Sequence, residues 1–251
     1  MMNKGRPLRK TSGNRLTAMM QVRNENGRYL EQVLEELSGF VDDIVIVDDA
    51  STDGTARLCE SFAKVTKLVT LGESRFNREW ELRRTLWELA VSTEPDWLLS
   101  VDADEFYEEE AKQEMRRLID QDVYDWVAFR LYDFWGGTTH YREDEHWNIH
   151  TKHTRTLVRY LPQFYYFTPQ MDHHVPRLPL SYAVLPGFLT ELRVKHYGWA
   201  LPPEALREKY DRYMELDPEG KWGSLEQYAS ILDENPRLVE WQERRGLGRP
   251  E

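Results

Sequence analysis

One cysteine, Cys59, in a chain of 251 residues leaves no internal disulfide framework and fits a reducing compartment. No apolar run approaches the roughly 18 residues needed to cross a bilayer. Positive charge is also scarce: 33 Lys and Arg stand against 44 Asp and Glu, a formal net charge of −11. A chain of that sign is a poor candidate for non-specific nucleic-acid binding. The glycine loops that cradle phosphate are missing too. No GxGxxG follows the first strand-like run, and GxxxxGK[ST] occurs nowhere. Internal repeats, low-complexity tracts and Ser/Gly linkers are likewise absent.

What is present is ordinary for a soluble globular enzyme, with 40% hydrophobic and 31% charged residues. The length suffices for one large α/β domain or two small ones, with a sizeable core. A cytoplasmic location is expected. The N-terminal MMNKGRPLRK is basic but has no apolar segment after it, unlike a secretory signal. Residues 1–14 are expected to form a flexible basic arm, which leaves peripheral contact with a membrane surface open.

Strand-like and helix-like patterns alternate through the first half. LTAMMQV (Leu16 to Val22) is a short apolar run, and Leu30, Val33, Leu34 and Leu37 then fall at helical spacing. IVIVDD is a buried-strand pattern, because β-branched residues suit a sheet covered on both faces. TARLCESF follows as a helix, with Ser51, Thr52 and Asp53 before it as good N-caps. KLVTL reads as a strand, Arg78 to Val91 as a helix, and Trp97 to Val101 as a fourth strand. This order implies a parallel sheet with helices on both faces, binding ligands at the carboxyl ends of its strands. The second half is rich in Trp, Tyr, His and Pro, with short strand candidates at Trp126 to Leu131, Thr156 to Tyr160 and Leu189 to Val194. EALREKYDRYMEL closes it as a helix.

The acids fall at strand ends. Asp48 and Asp49 end one strand; Asp102, Asp104 and Glu105 follow another. In a parallel sheet both sets face one edge. Carboxylates cannot hold a diphosphate directly, so such a ligand needs a divalent cation between them. Hard oxygen ligands point to Mn²⁺ or Mg²⁺. In Asp-x-Asp at a strand end, one acid can face the metal while the other reaches a ribose hydroxyl.

RNENGRYL, VDDASTDGT and LLSVDADE, in that order and at those intervals, resemble family 2 glycosyltransferases of the GT-A fold. The likeness is close over residues 16–110 and looser beyond. It implies a Rossmann-like, mostly parallel sheet flanked by helices, followed by a C-terminal acceptor-side region. Residues 15–251 would then be a single domain, with a nucleotide-sugar half at 15–110 and an acceptor half at 111–251. The resemblance implies a nucleoside pocket lined by Arg23, Asn24, Glu25 and Asp49. The Asp102-Ala103-Asp104 triplet would line the donor, with Asp104 on the metal and Asp102 on ribose or metal. His196, in HYGWA, would complete the metal shell.

Other candidates come from residue chemistry. The cluster SRFNREWELRR offers cations for a diphosphate, and Arg83 is the choice within it. MDHHVPRLP (Met171 to Pro179) gathers two histidines and an acid between prolines. An inverting sugar transfer needs a general base for the acceptor hydroxyl, and Asp172 or His174 could serve. Glu108, Glu109 and Glu110 read as first-turn acids that complement a helix dipole. Trp135, Trp147, Trp199 and the Tyr165-Tyr166-Phe167 run are either sugar-stacking platforms or core. The expectation is therefore a metal-dependent, inverting transferase. It would move sugar from a UDP- or dTDP-sugar to a carbohydrate, lipid-linked or protein acceptor. A sugar-phosphate nucleotidyltransferase and a non-catalytic nucleotide-sugar-binding module are the alternatives.

Overall fold

In the computed structural model, residues 9–221 and 223–244 are described; residues 1–8 of the expected arm lie outside them. The chain divides into two compact units. One comprises Met1–Ala103, Lys112–Ala128 and Arg155–Thr190; the other comprises Asp104–Ala111, Phe129–Thr154 and Glu191–Glu251. In chain order the elements are β1 (Leu16–Val22), α1 (Leu30–Ser38), β2 (Asp43–Asp48), α2 (Thr55–Glu60), β3 (Val65–Thr70), α3 (Glu79–Val91), β4 (Trp97–Ser100) and β5 (Glu105–Tyr107). They continue with α4 (Glu109–Ile119), β6 (Trp126–Trp135), β7 (His140–Arg142), β8 (Thr154–Arg159), β9 (Gly187–Trp199), α5 (Pro203–Leu216), α6 (Leu225–Ala229) and β10 (Leu238–Glu240).

The first unit holds the expected parallel sheet, in the order β3-β2-β1-β4, with β8 antiparallel beyond β4. Strand order reverses between β1 and β4, which places a ligand crevice outside the carboxyl ends of those two strands. The sheet is covered on both faces, so β1, β2 and β4 are buried almost throughout. The helical spacing of Leu30, Val33, Leu34 and Leu37 becomes a buried stripe on α1. On α3 the stripe is Leu82, Leu86 and Ala90. The three α3 residues join Met19, Val45, Val47, Leu98, Val158, Leu178 and Tyr182 in one core cluster. Each fully buried leucine of this kind contributes roughly 1.5–3 kcal/mol.

The second unit pairs β5 with β9 antiparallel, Glu105 opposite His196, and builds β10-β7-β6. Its core is aromatic. Trp135, Trp147 and Trp199 pack with Leu206 and Ile231, and the Trp135 and Trp199 rings stack at 5.4 Å. All three indoles are under 10% exposed, so they are core and not sugar platforms. Tyr165 and Phe167, in the first unit, are exposed.

Several expectations are corrected. Residues 9–14 do not hang free as an arm. Arg9 pairs with Asp125 and Lys10 with Asp96, both at 2.6 Å, and the Asn14 backbone N–H donates to Asp120 at 3.0 Å. Helix α2 starts at Thr55 with Gly54 at its N-cap. Asp53 serves it from one residue further out, accepting the Thr55 backbone N–H at 2.9 Å. β6 runs past Leu131 to Trp135, and β9 continues from Val194 to Trp199. Both extensions carry polar side chains that the alternation of apolar residues does not announce. Glu108 is no first-turn surface acid. It is fully buried against Arg193, which donates from Nε at 2.7 Å and also from Nη2. Among the described residues, no helix is long and apolar enough to cross a membrane.

Candidate active site

In the first unit the two acidic strand ends meet the loops the sequence singles out. Val22 lies opposite Asp48 in the β1–β2 register, so Arg23 and Asp49 emerge at the same edge. Asp49 is 2% exposed. Its Oδ1 accepts the Arg75 backbone N–H at 2.6 Å and its Oδ2 accepts the Ser74 hydroxyl at 2.7 Å. The Arg23 guanidinium donates to that same hydroxyl and stands 3.7 Å from the carboxylate. Asp48 turns inward, with Oδ1 accepting the Ser51 backbone N–H at 3.0 Å. Paired aspartates are therefore tolerated here because they point to different partners, one to the loop after β3 and one to its own turn.

Asn24 adopts a left-handed backbone, φ 53°, which asparagine tolerates better than most residues. Its side-chain oxygen accepts the Thr52 N–H at 2.8 Å, and its own N–H donates to Ser51 Oγ at 2.9 Å. The backbone N–H of Glu25 donates to Thr55 Oγ1 at 2.8 Å. RNENG and DDASTDGT are thus stitched into one surface beside the crevice.

Asp102, two residues beyond β4, is ion-paired with Arg177 at 2.6 Å. Arg177 belongs to the Pro-bounded 171–179 segment, which docks on the start of α3. Glu79 N–H donates to the Asp172 carbonyl at 3.1 Å, and Val175 N–H donates to Glu79 Oε2 at 3.1 Å. Glu79 also holds Arg83, whose Nη2 lies 3.0 Å from its carboxylate. The Asp172 and His174 side chains are both exposed. His174 sits at φ 56°, a strained conformation for a residue other than glycine.

The second unit gathers Asp104, Asp133 and His196. His196 Nδ1 is 2.6 Å from Asp133 Oδ1, and Nε2 is 3.7 Å from Asp104 Oδ1. Gly198 makes this approach feasible. A Cβ there would lie 2.6 Å from His196 Nε2 and 3.1 Å from Asp104 Oδ2. The Tyr197 N–H donates to the Asp104 carbonyl at 2.8 Å, fixing the acid's backbone to β9. Burial alone would lower the His196 pKa. The carboxylates of Asp104 and Asp133 outweigh it and raise the value to about 9. Lys209, on α5, donates to the Gly198 carbonyl at 2.8 Å and lies 3.6 Å over the Trp199 ring.

Among the described residues, no three His, Cys, Asp or Glu side chains converge as a ready-made cation cage. Asp133 is turned to the far nitrogen of the ring. The pair Asp104 and His196 nevertheless fits a hard divalent cation. Mg²⁺ is commonly held by one or two carboxylates, with substrate phosphates and water completing the shell, and Asp104 supplies one. The Asp133 contact fixes the tautomer that leaves Nε2 facing Asp104, the usual support for a ligating imidazole. A cation there would displace the Nε2 proton.

A profile of glycosyl transferase family 2 matches residues 17–171, more than half of the chain. The chain belongs to glycosyl transferase family 2. Its fold is that of GT-A glycosyltransferases. TarS of S. aureus superposes with a TM-score of 0.54 at 17% identity, over 87% of this chain and 42% of that one. TarS 1–349 in complex with UDP gives 0.51 at 16% identity, over 87% and 69%. Uncharacterized proteins of Mycobacterium tuberculosis and Mycobacterium bovis are each 35% identical over 95 residues, 36% of this chain and 23% of theirs. This family 2 chain thus spans about a quarter of the length of the curated relatives it matches.

Sequence reasoning named Arg23, Asn24, Glu25, Asp49, Asp102, Ala103, Asp104, Asp172, His174 and His196, and it chose Arg83. Within the first unit the fold brings Arg23 and Asp49 together. Within the second it brings Asp104 and His196 together. Arg83 is instead tied to Glu79. Asp133, Arg177 and Glu79 were missed. Only Arg177 carried a signal, as the cation inside MDHHVPRLP.

Proposed function

We propose that the chain is a metal-dependent glycosyltransferase that moves sugar from a nucleotide-diphosphate donor, a UDP-sugar in the first instance, to an acceptor hydroxyl with inversion. The observation that carries the metal dependence is the Asp133–His196–Asp104 arrangement beneath Gly198. Family membership supports the reaction class, and the UDP and UDP-GlcNAc complexes of TarS 1–349, a similar fold, support the donor class.

In this reading Arg23, Asn24, Glu25 and Asp49 bind the nucleoside. Asp102 reaches the ribose, with Ala103 beside it. Asp104 and His196 hold Mn²⁺ or Mg²⁺. When bound, that cation supplies Lewis-acid neutralisation of the departing nucleotide's charge. The Asp133 carboxylate keeps the His196 ring oriented throughout. Asp172 or His174 takes the proton from the acceptor hydroxyl, and the exposure of both side chains suits a group that must meet an incoming acceptor. The acceptor is a carbohydrate, a lipid-linked sugar or a protein, and the setting is cytoplasmic.

The test is a thermal-melt comparison of UDP, dTDP and GDP, each with Mn²⁺ and with chelator. A ligand at about 100 times its Kd stabilises by about 2.7 kcal/mol, on the order of 5–10 °C for a chain of this size. A shift for one nucleotide that disappears on chelation is the expected result. No shift with any nucleotide would overturn the reading.

A further inference from the structure

The donor reading requires a positive group for the diphosphate, and the basic cluster on α3 does not present one simply. Arg83 is 10% exposed and committed to Glu79. Arg78 is divided between Glu73 and Glu81. Backbone N–H groups do not fill the role either, because the chain has no phosphate-cradling glycine loop. Arg23 stands 3.7 Å from Asp49; the acid beyond β4, Asp102, is reached by the guanidinium of Arg177.

Two features make that contact more than a surface ion pair. The segment carrying it is anchored on both sides of Arg177. Val175 and Leu178 are 4% and 3% exposed, Leu178 belongs to the main core cluster, and the Val175 N–H is held by Glu79. The guanidinium is therefore delivered to the edge beyond β4 by a fixed stretch of backbone. The pair itself is only partly covered, with 20% of the Arg177 side chain and 30% of the Asp102 side chain exposed. Ion pairs with that much water access contribute little to stability. They exchange readily for a partner of higher charge. A diphosphate is such a partner, since its paired oxygens match the planar fork of a guanidinium.

We propose that Arg177 is a diphosphate-binding residue of the donor site: phosphate oxygens take its guanidinium from Asp102, and Asp102 is released to the ribose hydroxyls. This rests on the nucleotide-sugar reading above. One exchange would then link the two halves of donor recognition, with the phosphate freeing the acid that reads the sugar of the nucleoside.

The test is titration calorimetry of UDP and of uridine, with Mn²⁺ present, on the wild-type chain, Arg177→Gln and Arg177→Lys. The expected result is that Arg177→Gln weakens UDP roughly 10- to 100-fold, as for a lost charge-assisted contact, and binds uridine as well as or better than wild type, because Asp102 is already released. Arg177→Lys should recover part of the loss, because it restores the charge without the fork. Two outcomes overturn the assignment: UDP binding unchanged in Arg177→Gln, or UDP and uridine weakened equally together with a fall in melting temperature, the mark of a structural clasp. A wild-type chain that binds UDP alongside an unaffected Arg177→Gln removes this role alone. A wild-type chain that binds neither ligand removes the donor reading, and this role with it.

Discussion

Replacing Gly198 by alanine places a methyl carbon 2.6 Å from His196 Nε2, 2.9 Å from its Cε1 and 3.1 Å from Asp104 Oδ2. Carbon does not approach ring atoms at the first two distances, so the imidazole must move. It cannot rotate without cost, because Nδ1 is held at 2.6 Å by the largely buried Asp133. Losing a charged hydrogen bond of that kind costs about 1.5–3 kcal/mol. Overpacking of a close-fitted site adds about 1–3 kcal/mol where the ring does not yield. Where the strain falls matters more than its total. The methyl crowds both His196 Nε2 and Asp104 Oδ2, so relieving it disturbs the pair that would hold the cation, and lost orientation of a metal-binding imidazole typically weakens metal affinity 10- to 100-fold. The assay is Mn²⁺ titration at saturating UDP, read by calorimetry, with the melting temperature of the unliganded variant as control. We expect the Mn²⁺ affinity of Gly198→Ala to fall by about that factor, with a melting-temperature loss of about 2–4 °C per kcal/mol. Wild-type Mn²⁺ affinity in the variant would refute the assignment of Asp104 and His196 to the cation.

Three further substitutions probe other parts. Asp49→Asn turns one of two occupied carboxylate oxygens into a donor facing the Arg75 N–H or the Ser74 hydroxyl. It should cost about 1–3 kcal/mol in urea unfolding and abolish measurable UDP binding; a variant that binds UDP normally would remove Asp49 from the pocket. Glu108→Gln leaves the Arg193 guanidinium buried against an amide, and breaking such a pair costs about 3–5 kcal/mol. A urea-derived stability within about 1 kcal/mol of wild type would show that the pair is not structural. Asp172→Asn and His174→Ala, compared for turnover and for donor binding, should separate the base candidates. The base is the one whose loss stops turnover while UDP affinity holds, and full turnover in both variants would exclude the pair.

The alternation of elements from β1 to β4 was legible because each has a strong local pattern: Leu30, Val33, Leu34 and Leu37 at helical spacing, and IVIV as a strand buried on both faces. Arg23 and Asp49 could be placed at one edge because neighbouring parallel strands end together, and Val22 lies opposite Asp48. What escaped has no local pattern. Glu108 reads as a helix-dipole acid, and its partner Arg193 is 85 residues away. Asp133 lies beyond the apolar alternation of its strand, and only the passage of β9 brings His196 to it. Arg177 stands in a segment without periodicity, fixed by contacts of Val175 and Leu178 that become visible only with the fold. The tryptophans could not be sorted into core or platform without burial, which makes them core.

The stitched surface of RNENG and DDASTDGT has a consequence for what it can recognise. The amide hydrogens of Asn24, Glu25, Asn26, Ser51, Thr52 and Thr55 all point to side-chain oxygens of the same two loops. Those six amides are turned to the loops' own oxygens and are not presented to a ligand as the amides of an anion nest are. The two aspartates Asp48 and Asp49 are buried, whereas 45% of the Arg23 side chain is exposed, so an anion arriving at this edge would meet a side-chain charge before it met backbone. Recognition at this edge would therefore run through side chains, unlike that of a glycine-rich phosphate loop, which works through backbone N–H groups.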